Sequence, residues 1–471
     1  MSSPGGDAGD GGRVSGHGVE GVAASGVGVV AGGRAGRLLK VLGVAFGVAV
    51  IIGNTIGMGI LRTPGEVAAR LPSVPLFLGV WVLGGGYALL GALSLAELGA
   101  MLPRSGGQYV FVRRALGAYP GFVVGWSDWL STCGTMAAIS IVMGEYIGPL
   151  VPALAGHEDI TASVVVIAFA LLQWRGVRIG DATQQITSLL KTLALLALAV
   201  AVLFLGRSGP GVATHAASVV PTGLVFAGAV VVALQSAIYT YDGWTGPIYF
   251  GEEVRRPGRD IPRAMIGGVL LVLVIYLSLN VAFLRVVPIG DMAGDPFVAG
   301  TAAARVFGPH GDTIIRVLMI VSMVAAVNAC QLIASRVPLA MSRDGLLPRR
   351  VMRVNAGGTP TSSLLLGTMV ALAFIVTGTF DAVLALLAFF FVADYTLSFV
   401  SLFVLRRREP DLPRPFRVPG YPWLPAMALV GSVAFLVGAV LGDRANSLRA
   451  LALLALSLPA YLWARRGLQR G

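Results

Sequence analysis

Of the 471 residues, 56% are hydrophobic and only 12% charged, with a mean hydropathy of +0.81, whereas a soluble globular chain carries roughly 25% charged residues. This composition excludes a soluble enzyme, a secreted disulfide scaffold and a single-span receptor, and it suits a bundle of membrane helices of about 20 apolar residues each. The net charge of +12 would point to nucleic acid in a soluble chain; here it is explained by arginines anchoring loops on one side of a membrane, and no nucleic-acid partner is expected.

Residues 1–33 are rich in Gly, Ser, Ala and Val and lack a basic segment followed by a clean apolar run, so they do not read as a signal peptide. They predict a disordered cytoplasmic tail, bounded at 1–36. Beyond it, hydropathy predicts twelve spans near 38–62, 74–101, 119–151, 160–174, 183–206, 223–250, 262–285, 312–341, 360–379, 381–405, 422–441 and 445–464. With the N-terminus placed in the cytoplasm, 25 of the 35 Lys and Arg fall on that side and 8 on the other. This bias predicts a multi-pass protein of the plasma (inner) membrane with both termini cytoplasmic.

Two spans carry breaks. The first reads VAVIIGNTIGMGILRTPG, with Gly53, Gly57 and Gly59 at its centre and Pro64 beyond; the sixth reads VALQSAIYTYDGWTGPIYFGEE, with Asp242 and Gly243 mid-span. Glycine lowers the cost of leaving helical geometry and proline removes a donor. Such backbone survives in a membrane only against protein or a wet cavity. An offset of five helices inverts the second repeat, giving 37–206 (spans one to five) and 223–408 (spans six to ten), with 420–471 holding two peripheral spans. Paired interrupted segments point to a transporter's binding site. A broken helix presents N–H groups to a carboxylate and carbonyls to an ammonium, so two such breaks can hold the backbone of an α-amino acid.

The runs GNTIGMGILRTP (53–64), AELGAMLPRSGGQYVFVRRALG (96–117), YTYDGWTGPIYFGEEVRRPGRDIPRA (239–264), SRVPLAMSRDGLLP (335–348) and RRREPDLPRPFRVPGYP (406–422) together resemble the amino acid–polyamine–organocation superfamily, and within it the L-type amino acid transporters and their bacterial relatives. The resemblance implies an all-α, leucine-transporter-type fold: ten core helices in two inverted five-helix repeats, with helices one and six broken, plus two peripheral ones. It implies that Gly57, Met58 and Gly59 bind a substrate carboxylate, Met58 standing where serine is common, and that Thr55 and Ile56 offer carbonyls to its amine. Tyr239 matches an aromatic gate, and Thr240, Tyr241 and Asp242 fill the second break. Asp242 either neutralises a substrate charge or caps the restarting helix.

Lys191 lies inside the fifth span and is one of only two lysines in the chain. A charge there costs about 2.5–3.5 kcal/mol on insertion scales and marks a functional candidate. The resemblance places it where sodium-coupled relatives bind their cation. It is either a proton- or conformation-linked group or a constitutive tether to span one. Asp394 is a second proton-carrier candidate. Asn328 lines the cavity or bonds across helices, and Asp128 is expected at an interface. Cys133 and Cys330 read as core residues; His17, His157, His215 and His310 lie in the tail or loops, so no metal and no cofactor are expected.

These readings converge on a sodium-independent secondary transporter of amino acids working by alternating access, through proton-coupled symport or exchange, and not on an enzyme. Polyamine or other amine transport is the alternative, and a non-transporting amino-acid sensor on the same scaffold comes below it. Animal L-type transporters join a heavy chain through a cysteine after span three; the matching loop VPALAGHEDI has none, so no disulfide-linked partner is expected. The sequence leaves the oligomeric state open.

Overall fold

The computed structural model describes residues 37–468 except Met58, 207–219, Pro221, Gly378, Thr379 and Asp443; the predicted tail therefore lies outside the described residues. Those described are helical, with two isolated β-bridges as their only extended pairings. In chain order the helices are α1 (Val44–Thr55), α2 (Gly59–Arg70), α3 (Val74–Met101), α4 (Gln108–Leu116), α5 (Ala118–Ile147), α6 (Glu158–Trp174), α7 (Val177–Leu205), α8 (Gly223–Thr240), α9 (Pro257–Val286), α10 (Ile289–Met292), α11 (Val298–Phe307), α12 (Gly311–Ala334), α13 (Arg336–Arg343), α14 (Thr361–Thr377), α15 (Phe380–Arg408), α16 (Trp423–Gly442) and α17 (Arg444–Leu468). Among the described residues, seven helical stretches are long and apolar enough to cross a membrane, eight if α1 and α2 count as one bent span. Three shorter apolar helices lie at 361–377, 423–438 and 450–462.

The first span departs from its predicted bounds. It begins at Val44 and runs on through α2 to Arg70, past Arg62 and Pro64 where hydropathy falls. The helix persists because Ile60, Leu61, Val67 and Ala68 are buried. Arg62 is held by the carbonyl of Pro296, and Gly65 packs against the backbone of Asp295 and Met292. The predicted sixth span, by contrast, stops as an α-helix at Thr240. Helix α4 was not predicted: nine residues with two arginines in their last turn fall below any hydropathy threshold.

The packing puts α1 at the centre, against α7, α9 and α12. α3 packs on α9, and α5 on both α12 and α15. Close approach is bought by small residues, as expected where lipid supplies no hydrophobic drive between helices.

At the arginine-rich end, the segment after α8 is a junction. Leu42 N–H donates to the Glu253 carbonyl and Arg255 N–H to the Leu42 carbonyl, each at 2.9 Å, so the chain entering α1 pairs with it by backbone alone. Arg336 of α13 forms a two-pronged pair with Glu253 (3.0 and 2.8 Å), with the two side chains 1% and 0% exposed. Its guanidinium also stacks on Phe250 at 4.8 Å. Arg343 grips Glu252. Glu252 and Glu253 are thus both paired with arginines.

Asp344, just beyond α13, accepts from Arg104 (3.0 Å) and Tyr109 (2.9 Å) and pairs with Arg113. Burial raises its carboxyl, but the hydrogen bonds and charges of Arg104 and Arg113 outweigh that and hold it below the usual carboxylate range. A depressed folded value contributes stability that is fully present above the ordinary carboxylate value of about 3.9 and is lost as pH falls through the lowered one. The melting temperature of the wild type in detergent is therefore expected to exceed that of Asp344→Asn at neutral pH, with the gap closing below about pH 4.

Candidate functional site

The first break follows from backbone geometry. α1 ends at Thr55; Ile56 is extended (φ −80°, ψ 97°), although its N–H still reaches the Ile52 carbonyl. α2 restarts at Gly59, bent by 52° from α1. A side chain on Gly57 would meet nothing within 4 Å, so this turn faces open space. Met58 lies outside the described residues. The second break runs from Tyr241 to Thr245 as turns, followed by a short 3₁₀ segment at Gly246–Tyr249. Gly243 makes this turn possible at φ +113°, a conformation other residues rarely adopt.

The two breaks touch. A Cβ on Gly243 would sit 2.8 Å from the Asn54 carbonyl carbon and from the Thr55 nitrogen. Asn54 Nδ2 approaches the Gly243 carbonyl at 3.5 Å. Thr240 Oγ1 donates to Thr63 Oγ1 at 3.0 Å, joining the end of α8 to α2. Gly57, Gly59, Thr55, Ile56, Thr240 and Tyr241 are thus brought together as a group.

A helix end leaves carbonyls without partners, and here side chains from three neighbouring helices answer those of α1. Deeper in α1, away from its end, Ser188 and Gln184 of α7 donate to the Ala49 carbonyl at 2.7 and 3.1 Å. Lys191, 1% exposed, donates to the carbonyls of Gly53 (3.1 Å) and Ile56 (2.5 Å). Ser322 of α12 reaches Ile56 as well, at 3.1 Å. Tyr276 of α9 reaches the Thr55 carbonyl at 3.0 Å. Lys191 is therefore seated as a tether to span one in this conformation. Gln184, Ser188, Ser322 and Tyr276 were missed by sequence reasoning. For two of them a signal existed: Gln184, Ser188 and Lys191 recur at intervals of four and three, one face of a helix.

Asn328 joins this network through Gln184. Its amide donates to Gln184 Oε1 at 2.7 Å, and its own oxygen accepts from Gln173 at 2.9 Å. It bonds across helices and lines neither of the clefts described next. One cleft, of about 270 Å³, lies beside the first break and is walled by Asn54, Thr132, Thr135, Thr245, Tyr249 and Cys330. Its wall carries four hydroxyls and one amide beside the apolar Cys330 and Ile333, and no charged group. The second, of about 340 Å³, lies between α3, α8, α15 and α16 and holds Asp242 among Tyr87, Tyr239, Trp244 and Tyr395. Tyr239 is 41% exposed there. Asp242 accepts from the Tyr395 hydroxyl. The restarting 3₁₀ turn has no side-chain cap.

Asp394 is buried beside Asp128. Ser127 donates to both Asp394 oxygens (2.9 and 3.2 Å), and Tyr249 to both Asp128 oxygens (2.9 Å each). Asp128, expected at an interface, is enclosed by protein at 1% exposure. The chain that leaves α8 as a 3₁₀ turn, rather than as a continued helix, lays Tyr249 over it. Among the described residues no arginine or lysine forms an ion pair with Asp128, Asp242 or Asp394. Cys133 and Cys330 are buried and free. Chemically, the site offers donors, helix-end carbonyls and a small polar cleft, which suits reversible binding of a small zwitterion.

Comparison with known proteins agrees with this chemistry. Residues 40–452 match the profile of the family described as "Amino acid permease". The chain is 28% identical over 433 residues to the serine/threonine exchanger SteT of Bacillus subtilis (strain 168), covering 90% of this chain and 96% of that one. It is 26% identical to the b(0,+)-type amino acid transporter 1 of Mus musculus (87% of this chain, 84% of the other) and 30% identical to the Asc-type amino acid transporter 1 of the same species (81% and 73%).

Proposed function

Since the chain belongs to the amino acid permease family, we propose that it is a secondary transporter moving small and medium neutral amino acids across the plasma membrane by alternating access, without sodium. The observation that carries this reading is the meeting of two helix breaks at one place, Asn54–Gly57 against Thr240–Gly243. In this reading the substrate carboxylate binds at the start of α2 and its amine at the ends of α1 and α8. The hydroxyl-lined cleft beside Asn54 receives a short side chain, in keeping with a relative that exchanges serine and threonine. Amine transport would call for an acid-rich cleft, and this one has no carboxylate.

Lys191 brings the chain's own amine to the carbonyls of the first break, which favours sodium independence. Ten of the twelve spans would form the two inverted repeats, 37–206 and 223–408, with two peripheral spans at 420–471 and both termini cytoplasmic. The chain would work without a disulfide-linked heavy chain. Both coupling modes follow from this arrangement and are separated by one experiment. Proteoliposomes are given a panel of labelled amino acids, with an inward proton gradient and with or without internal amino acid. Accumulation into empty vesicles driven by the gradient makes the chain a proton symporter; uptake only into preloaded vesicles makes it an exchanger. Uptake of amines and of no amino acid overturns the reading.

A further inference from the structure

Tyr276 was not among the residues the sequence singled out, and it is completely buried, at 0% exposure. Its hydroxyl lies 3.0 Å from the carbonyl oxygen of Thr55 and 3.0 Å from that of Thr240. These are the last residues of α1 and α8. One phenol thus stands between the C-terminal ends of both interrupted helices. It carries a single proton, shared between two acceptors or passed from one to the other.

The electrostatics make this placement consequential. A helix C-terminus carries a partial negative charge, so two such ends converging on one point repel each other unless a donor stands between them. The Tyr276 ring cannot easily leave that position. An edge-on contact with Trp81 (centroids 5.9 Å apart) and a tilted one with Tyr241 (4.9 Å) fix it. Because α9 packs on both α1 and α3, the phenol is anchored to a helix outside both breaks.

We infer that Tyr276 is a positioning residue for transport, whose hydroxyl holds the terminal carbonyls of α1 and α8 on one point so that they receive an ammonium as a pair. The inference rests on the reading that an amino acid binds at the breaks, and it adds the group that organises the amine end. An ammonium brings three donors and a full charge to carbonyls already brought together. Without the hydroxyl the two ends separate, and the substrate must draw them together itself.

The test is Tyr276→Phe, which keeps the ring and removes the donor. Purified wild type and variant are loaded with a labelled amino acid that the wild type transports. The label is then displaced by L-alanine or by L-lactate, which shares alanine's carboxylate and methyl group but has a hydroxyl in place of the ammonium. The expected result is a loss of about five- to tenfold in L-alanine affinity, the order of one net hydrogen bond. L-lactate affinity, however weak, stays at the wild-type value. Equal weakening of both ligands would make the phenol merely structural. Unchanged or tighter L-alanine binding would mean that the hydroxyl is idle or competes with the ammonium. Either overturns the inference. A melting curve checks folding; if the Phe variant does not fold, Tyr276→His, whose ring stops short of both carbonyls, is read for the same selective loss. A wild type that binds no amino acid at all would sink the transport reading itself, a distinct failure.

Discussion

Replacing Lys191 with alanine is expected to lower amino-acid uptake on the order of 100-fold, the largest single effect in the molecule. The ammonium makes two hydrogen bonds to the break in α1, at Gly53 and Ile56. Hydrogen bonds to a charged group contribute about 1.5–3 kcal/mol each, and two at the lower end amount to about 3 kcal/mol, or roughly two decades. Ser322 would remain as the described side-chain donor on Ile56, and Gly53 would lose its own. The assay is uptake into proteoliposomes in both modes. Loss of gradient-driven accumulation with exchange intact would assign the lysine to proton coupling. Loss of both would assign it to holding the break open. Uptake within about threefold of wild type would remove Lys191 from the mechanism.

Gly243→Ala is expected to be nearly as damaging, for a steric rather than an electrostatic reason. The residue sits at φ +113°, which costs a side chain about 1–3 kcal/mol. The added methyl would also lie 2.8 Å from the backbone of Asn54 and Thr55, a contact that neither flexible ends nor rotamers can relieve. Overpacking of this kind costs about 1–3 kcal/mol more. The outcome should be a lower melting temperature in detergent together with loss of substrate binding, because the strain falls on both breaks at once. Gly228→Ala on α8 is the matched control: a Cβ there meets nothing within 4 Å, and stability and binding should stay at wild-type values. Equal behaviour of the two variants would show that the contact between the breaks does not matter.

What could be read in the sequence was whatever interrupts a pattern. Glycines at 53, 57 and 59 and the Asp242-Gly243 pair stand out against apolar spans, and the structure leaves helical geometry beside them, at Ile56–Gly57 and at Tyr241–Thr245. Lys191 stands out for the same reason. Residues that act without interrupting anything were invisible. Tyr276 is one aromatic in LVLVIYLSLN, indistinguishable from packing until Thr55 and Thr240 are seen on either side of it. Asp128 was expected at an interface from its place near one end of span three; its cover, Tyr249, comes from a segment 121 residues away and could not be read there. Helix limits failed where hydropathy and packing disagree, as in α2, whose Arg62 and Pro64 sit in a helix held by the loop around Asp295.

The joint between Leu42 and the segment at Glu253–Arg255 is made of main-chain atoms on both sides. Side-chain substitution therefore leaves it intact. An alanine scan would report the burial of Leu42 and the pair of Glu253 with Arg336 instead of the joint itself, which leaves no trace of its own in side-chain chemistry. Only proline, which deletes the N–H itself, removes a strand of the joint: at 42 the bond to Glu253, at 255 the bond back to Leu42. Mutational tolerance measured there with ordinary residues would consequently understate how tightly the entry of the chain into α1 is tied to the exit from α8.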